Sequence, residues 1–170
     1  MLPLDSPQWQ DFETYAGLPS ELPDNLRRWR EAIGTSDEEG EWGWLRDQFL
    51  CQHTIKDSAI AIVPHIVESL PATAPALHHY YAIDLGQVHM AWRQTPLTSV
   101  TTELIASYEA AIVSIRPWVG QCLSRPLDAV DFRYLLSACA AICDHSGLGR
   151  FLFSLDDFSP REYPDLADYI

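Results

Sequence analysis

The most restrictive feature of this sequence is a run of apolar residues at helical spacing that lasts five turns. Val100, Leu104, Tyr108, Ala111, Ile112, Ile115 and Val119 recur at short helical steps, which puts them on one face of a helix and on no face of a strand. Similar spacing returns in Leu22, Leu26, Trp29 and Ile33, in Ile60, Val63, Val67 and Leu70, in Leu77, Tyr81, Leu85, Val88 and Trp92, and in Phe132, Leu135, Leu136, Cys139, Ile142 and Cys143. No segment alternates apolar and polar residues over strand length, and no Asn-Gly or Asp-Gly pair marks a hairpin. The pattern predicts an all-α domain of about seven helices; no sequence repeat shows how they stack, which leaves an irregular bundle open.

Caps and breakers set the expected boundaries. Pro7 opens a short helix over 8–15. Ser20 or Asp24 caps a second, which Gly34-Thr35-Ser36 stops after Ile33. A third runs over 37–51, with Asp37, Glu38, Glu39 and Glu41 at the positive end of its dipole. Asp57 caps a fourth that contains Pro64, and a fifth covers 74–94. Thr98 caps the five-turn helix, which Pro117 kinks or ends. Asp128 caps the last, terminated by Gly147 and Gly149. One domain thus covers 1–153, followed by an acidic tail over 154–170 with Phe158, Tyr163 and Tyr169.

Charge narrows the partners. Eleven basic residues face 24 acidic ones, a net charge of −13. Such a field repels nucleic acid and anionic lipid, and it either favours a protein with a basic surface or serves only to keep the chain in solution. The longest uncharged run, 69–83, is broken by Pro71, Pro75 and the His78-His79 pair, and a membrane span needs about 20 apolar residues. The opening Met1-Leu2-Pro3-Leu4-Asp5 lacks the basic and apolar regions of a signal peptide. Cys51, Cys122, Cys139 and Cys143 lie in apolar stretches, as expected of buried, reduced thiols in a cytoplasmic protein.

No catalytic motif is present: no G-x-S-x-G elbow, no P-loop, no G-x-G-x-x-G. None of the six histidines pairs with another at the i,i+3 or i,i+4 spacing of a helical metal site. Cys139, Cys143 and His145, with Cys122 as a fourth ligand, match no common zinc spacing and read as packing residues. No metal and no cofactor is expected. The tight carboxylate cluster Asp156-Asp157 with Glu162 reads as solvated. Asp84 interrupts an apolar face and calls for an arginine partner such as Arg116 or Arg133. With His78, Tyr81 and His89 it forms an alternative pocket for a small molecule or a helical enzyme's substrate. The segment Glu38-Glu39-Gly40-Glu41-Trp42-Gly43-Trp44 interleaves acids with tryptophan, and Glu38, Glu39, Glu41, Trp42 and Trp44 are the expected partner-binding residues.

Leu4-Asp5-Ser6-Pro7-x-Trp9, Tyr15-Ala16-Gly17 and Leu22-Pro23-x-x-Leu26 resemble the opening of a family of uncharacterised bacterial HEAT-like proteins. Trp44-Leu45-x-x-x-Phe49-Leu50, His53-Thr54 and Ala59-x-Ala61-x-Val63-Pro64-His65-x-Val67-x-x-Leu70 resemble its next segment. The family's His-Gln-x-Thr turn reads Gln52-His53-Thr54 here, so order and length both depart. The resemblance covers residues 4–70. It implies helical pairs stacked into an α-superhelix that binds protein, and it implies no catalytic residues. Proteins of this broad kind sit beside secreted toxins as immunity proteins. The expectation is therefore a non-catalytic binding module, in its sharpest form an immunity protein that neutralises a basic, nuclease-like toxin domain.

Overall fold

The computed structural model describes residues 1–97 and 99–155. Among these the chain is all-α, with seven α-helices: α1 Leu22–Ala32, α2 Glu38–Phe49, α3 Ser58–Ser69, α4 His78–Trp92, α5 Thr102–Cys122, α6 Ala129–Ile142 and α7 Ser146–Ser154. One continuous core runs from Leu2 to Ile142. No helix among the described residues is long and apolar enough to cross a membrane.

Most of the expected apolar faces are buried, but Phe132, expected on the inner face of α6, is exposed. Leu22, Leu26 and Trp29 of α1 and Leu104, Tyr108, Ile112, Ile115 and Val119 of α5 all lie inside. Local chemistry explains most ends. Pro23 and Asp24 occupy the first turn of α1, and Gly34, at φ 79°, follows its end. Arg30 ties that helix to α3, donating to the His65 carbonyl at 2.9 Å and the Ser69 hydroxyl at 2.9 Å.

Several expected boundaries move. The first segment is a 3-10 helix over Pro7–Asp11, and Pro75–Leu77 is a 3-10 turn ahead of α4. Asp57 precedes α3, but its carboxylate accepts the Glu13 amide at 2.6 Å instead of capping the helix. Pro117 does not end α5, which continues to Cys122. Thr98 lies outside the described residues; the cap of α5 is Thr101, whose hydroxyl accepts the Leu104 amide. Gly147 and Gly149 do not terminate α6. Asp144 does, in the left-handed conformation at φ 67°, with the His145 amide bonded to the Ala140 carbonyl and the Asp144 amide to that of Ala141. The two glycines fall inside α7, and the acidic stretch beyond Leu155, with Asp156, Asp157, Glu162 and its aromatics, lies outside the described residues.

One feature escaped the sequence pattern. Helix α2 stops at Phe49, and a small antiparallel hairpin follows, β1 Leu50–Cys51 with β2 Thr54–Ile55. Its turn is Gln52-His53, both with positive φ (46° and 64°), a conformation usually supplied by glycine or asparagine. The thiols also depart from expectation: Cys122 is buried and Cys139 half-buried, but Cys51 and Cys143 are exposed. No group of metal-ligating side chains gathers among the described residues.

The helices pack in two ways. Neighbours in sequence pair, α1 with α2 and α6 with α7, and helices two apart stack, α3 on α5 and α4 on α6. The α4–α6 contact is closest at Gly86, where a Cβ would lie 2.3 Å from the Ala138 Cβ and 2.4 Å from its Cα. Backbone cannot retreat as a flexible side chain can. Gly86→Ala is therefore expected to cost about 3 kcal/mol by overpacking, lowering the melting temperature by about 10 °C. Gly147→Ala, which meets nothing within 4 Å, should leave it unchanged or raise it. Calorimetry of both variants checks this.

Candidate functional site

The acids that open α2 do not all face solvent. Glu38 is 1 % exposed. One carboxylate oxygen accepts the Gly34 amide at 2.6 Å, and the other accepts the Ala74 amide at 2.9 Å and the Tyr81 hydroxyl at 2.7 Å. The Tyr81 oxygen in turn accepts the Trp29 indole N–H at 3.3 Å. Burial, reinforced by the Glu38 acceptor, pushes the Tyr81 phenol far above its ordinary pKa, so it remains a donor. The rings of Trp29, Trp42 and Tyr81 pack against one another with centroids 4.7–5.8 Å apart.

Trp42 connects this interior to the surface. Its indole donates to Asp84 Oδ2 at 2.8 Å. Asp84 is 7 % exposed, and its nearest cation, Arg46 Nη1, is 3.9 Å away from that same oxygen. Arg46 instead donates twice to Asp47 Oδ1, at 2.7 and 3.1 Å. Asp84 Oδ1 accepts no hydrogen bond among the described residues and is not sealed from solvent. Burial raises the Asp84 carboxyl to about 6, against the opposing pull of Arg46 and the Trp42 N–H.

Asp84 lies where two clefts meet. One, about 260 Å³, runs between α2 and α4 past Glu39, Gly43, Arg46 and Tyr80. The other, about 420 Å³, passes Tyr15, Asp47, Cys51 and Gln87. Part-exposed aromatics line the clefts, Tyr80 (42 %) the first and Tyr15 (37 %) the second, while Trp44 (47 %) is exposed on α2 and lines neither. Gly43 lines the first cleft, and both Gly40 and Gly43 have open space where a Cβ would project. Nothing among the described residues requires glycine there.

The two sets of residues singled out in the sequence therefore meet in part. Glu39, Trp42 and Asp84 line one cleft. Trp44 is exposed but lines neither cleft, and Glu41 is turned to Arg28 at 2.8 Å. Glu38 is buried and offers no contact surface, and Trp42 is a largely buried part of the cleft wall. The set His78, Tyr81, Asp84 and His89 does not converge, since the clefts that Asp84 lines contain none of the other three. Tyr81 faces Glu38. His78 lies on Trp118 at 5.1 Å with Nε2 on the Thr73 carbonyl. His89 meets the Tyr108 hydroxyl at 3.1 Å, and burial lowers it to about 4. The arginine beside Asp84 is Arg46, while Arg116 pairs with Asp144. Arg46 and Tyr80 were missed as site residues. The available signal was their i,i+4 spacing to Trp42 and Asp84, which puts each a helical turn from a residue already singled out.

A carboxyl group raised from 3.8 to about 6 on folding binds its proton more tightly in the folded state. Its contribution to stability is present below about pH 4, is lost as pH rises towards 6, and stays lost above. Asp84→Asn keeps an acceptor for Trp42 and removes the charge. It should stabilise the protein at pH 7.5 by up to about 3 kcal/mol, with no advantage at pH 4. Denaturant melts at the two pH values check this, and a variant weaker than wild type at pH 7.5 contradicts it. No protein-family model, no curated protein and no solved structure matches this chain, so its function is inferred from the cleft itself.

Proposed function

We propose that this protein is a non-catalytic protein-binding module whose α2–α4 cleft receives a basic segment of a partner. The observation that carries this is Asp84. A carboxylate buried at the base of an open cleft, with one oxygen unbonded and its nearest cation 3.9 Å away on the other oxygen, lowers the stability of the free protein. A lysine or arginine entering the cleft supplies the missing charge where water is scarce and the attraction strong. Groups that weaken the free protein yet stand ready for a ligand mark binding sites.

The surroundings support the same reading. Tyr15 and Tyr80 provide the large amphipathic side chains typical of binding hot spots. Gly40 and Gly43 weaken α2 by roughly 1 kcal/mol each relative to alanine and let another backbone approach closely. The net charge of −13 steers a basic partner towards the site from about a Debye length away. The stacking of α3 on α5 and α4 on α6 supports a superhelical arrangement of paired helices. Together with the HEAT-like resemblance of residues 4–70, it supports the sharper form: a cytoplasmic immunity protein that captures a basic, nuclease-like toxin domain.

The test compares surfaces of equal charge. Glu39→Lys with Tyr80→Ala alters the cleft rim; Glu103→Lys with Val113→Ala alters the exposed side of α5. Proteins retained by the immobilised wild type at low salt should be basic and should be released as salt rises. The cleft variant should lose them and the α5 variant should keep them, with thermal stability of both near wild type. Equal retention by the two variants, or an acidic retained set, contradicts the proposal.

A further inference from the structure

A second cavity, of about 360 Å³, lies on the other side of Gln87, at the corner between α4, α7 and the β1–β2 hairpin. Its apolar surface comes from Met90 and Ala91 of α4 and from Phe151 and Phe153 of α7. Among the described residues its lining contains no acid, although the chain as a whole carries 24. The one full charge among those lining residues is positive: Arg150, exposed on α7, forms no ion pair among the described residues.

His53 is delivered to this cavity by the strained turn. Gln52 and His53 hold φ of 46° and 64° without being glycine, a conformation that side chains disfavour and that clusters at functional positions. The imidazole packs edge-on against Phe153 at 4.4 Å and 71°. Its Nδ1 lies 3.2 Å from the Gln87 side-chain oxygen. That oxygen only accepts, so Nδ1 carries the hydrogen, and the Gln87 amide N–H groups remain as donors. Gln94 adds a second amide to the wall. The cavity thus joins an aromatic, thioether-lined floor to a guanidinium and neutral donors.

We propose that this cavity binds a carboxylate with an apolar or aromatic body, the carboxylate on Arg150 and the body against Met90, Phe151 and Phe153. The guanidinium fork matches a carboxylate in two parallel hydrogen bonds. Phenylalanine rings and a methionine thioether favour a flat or flexible apolar group, and the volume falls in the range of small-molecule sites. A free aryl acid and the C-terminal carboxylate of a peptide ending in phenylalanine share this chemistry. The site is separate from the Asp84 cleft in charge and in ligand, so each proposal can fail alone.

The chain has two methionines, Met1 and Met90, and only Met90 lines the cavity, so methyl-labelled methionine reports occupancy in the intact protein. Three probes are titrated: 3-phenylpropionate, its primary amide, and the tripeptide Gly-Gly-Phe as the free acid. The Met90 methyl signal should shift with an acid and not with the amide. Arg150→Gln should weaken that acid by roughly tenfold, and Arg27→Gln, an equal loss of charge on α1, should not. A response to the tripeptide alone assigns the site to a chain end, and a response to phenylpropionate assigns it to a small acid. No Met90 shift with either acid at millimolar concentration, an equal response to the amide, or wild-type binding by Arg150→Gln overturns the proposal.

Discussion

The Glu38 carboxylate gathers three parts of the chain at one point. It accepts the Gly34 amide from the turn after α1, the Ala74 amide from the loop before α4, and the Tyr81 hydroxyl from α4 itself. No cation pairs with it among the described residues. Its charge is stabilised by oriented N–H and O–H dipoles, as at an anion site built from backbone. Without it two part-buried amides and the buried Tyr81 hydroxyl would lose their acceptor. Tyr81 fixes the neighbouring rings, and Trp42 carries the order outward to Asp84. The interior network and the surface cleft are therefore one arrangement.

Helix α4 is the shared wall of both proposed sites. On one side Gly86 lets it sit almost in contact with the α6 backbone at Ala138. It also contributes Tyr80, Asp84 and Gln87 to the adjoining clefts and Gln87, Met90 and Ala91 to the next cavity. The tight packing behind holds these side chains in register, a requirement for any site assembled from one helix face.

Stability is conceded at four points along this surface: the charge of Asp84, the open glycines 40 and 43, and the positive-φ Gln52-His53 turn. Compensation within the described chain is slight: Asp84 keeps one hydrogen bond, from Trp42, and the turn is supported by His53 against Phe153 and Gln87. They occur around adjoining clefts that share Asp84, Arg46 and Gln87 as walls. Scattered imperfections of a fold would not be expected to gather there. Natural sequences depart from local preference where binding requires it.

The amino-acid order alone determined the helical class and the inward faces, because burying a 3.6-residue periodicity leaves a helix little choice of side. It also marked Asp84, Trp42 and the α2 acids as unusual. It missed the hairpin, since Gln-His is a poor left-handed turn pair and only packing of His53 on Phe153 and Gln87 supports it. It misplaced Glu38 and Trp42 on the surface, because a run of acids with tryptophan is the same in sequence whether its members point in or out. What turned them inward was a set of partners more than thirty residues away: the Ala74 amide and Tyr81 hydroxyl, which donate to Glu38, and the Asp84 carboxylate, which accepts from Trp42. The grouping of Asp84 with Arg46 and Tyr80, and of Arg150 with His53, was likewise decided by tertiary structure. Side chains from separate helices share a cleft only once the backbones are packed, and local spacing carries no record of that distance.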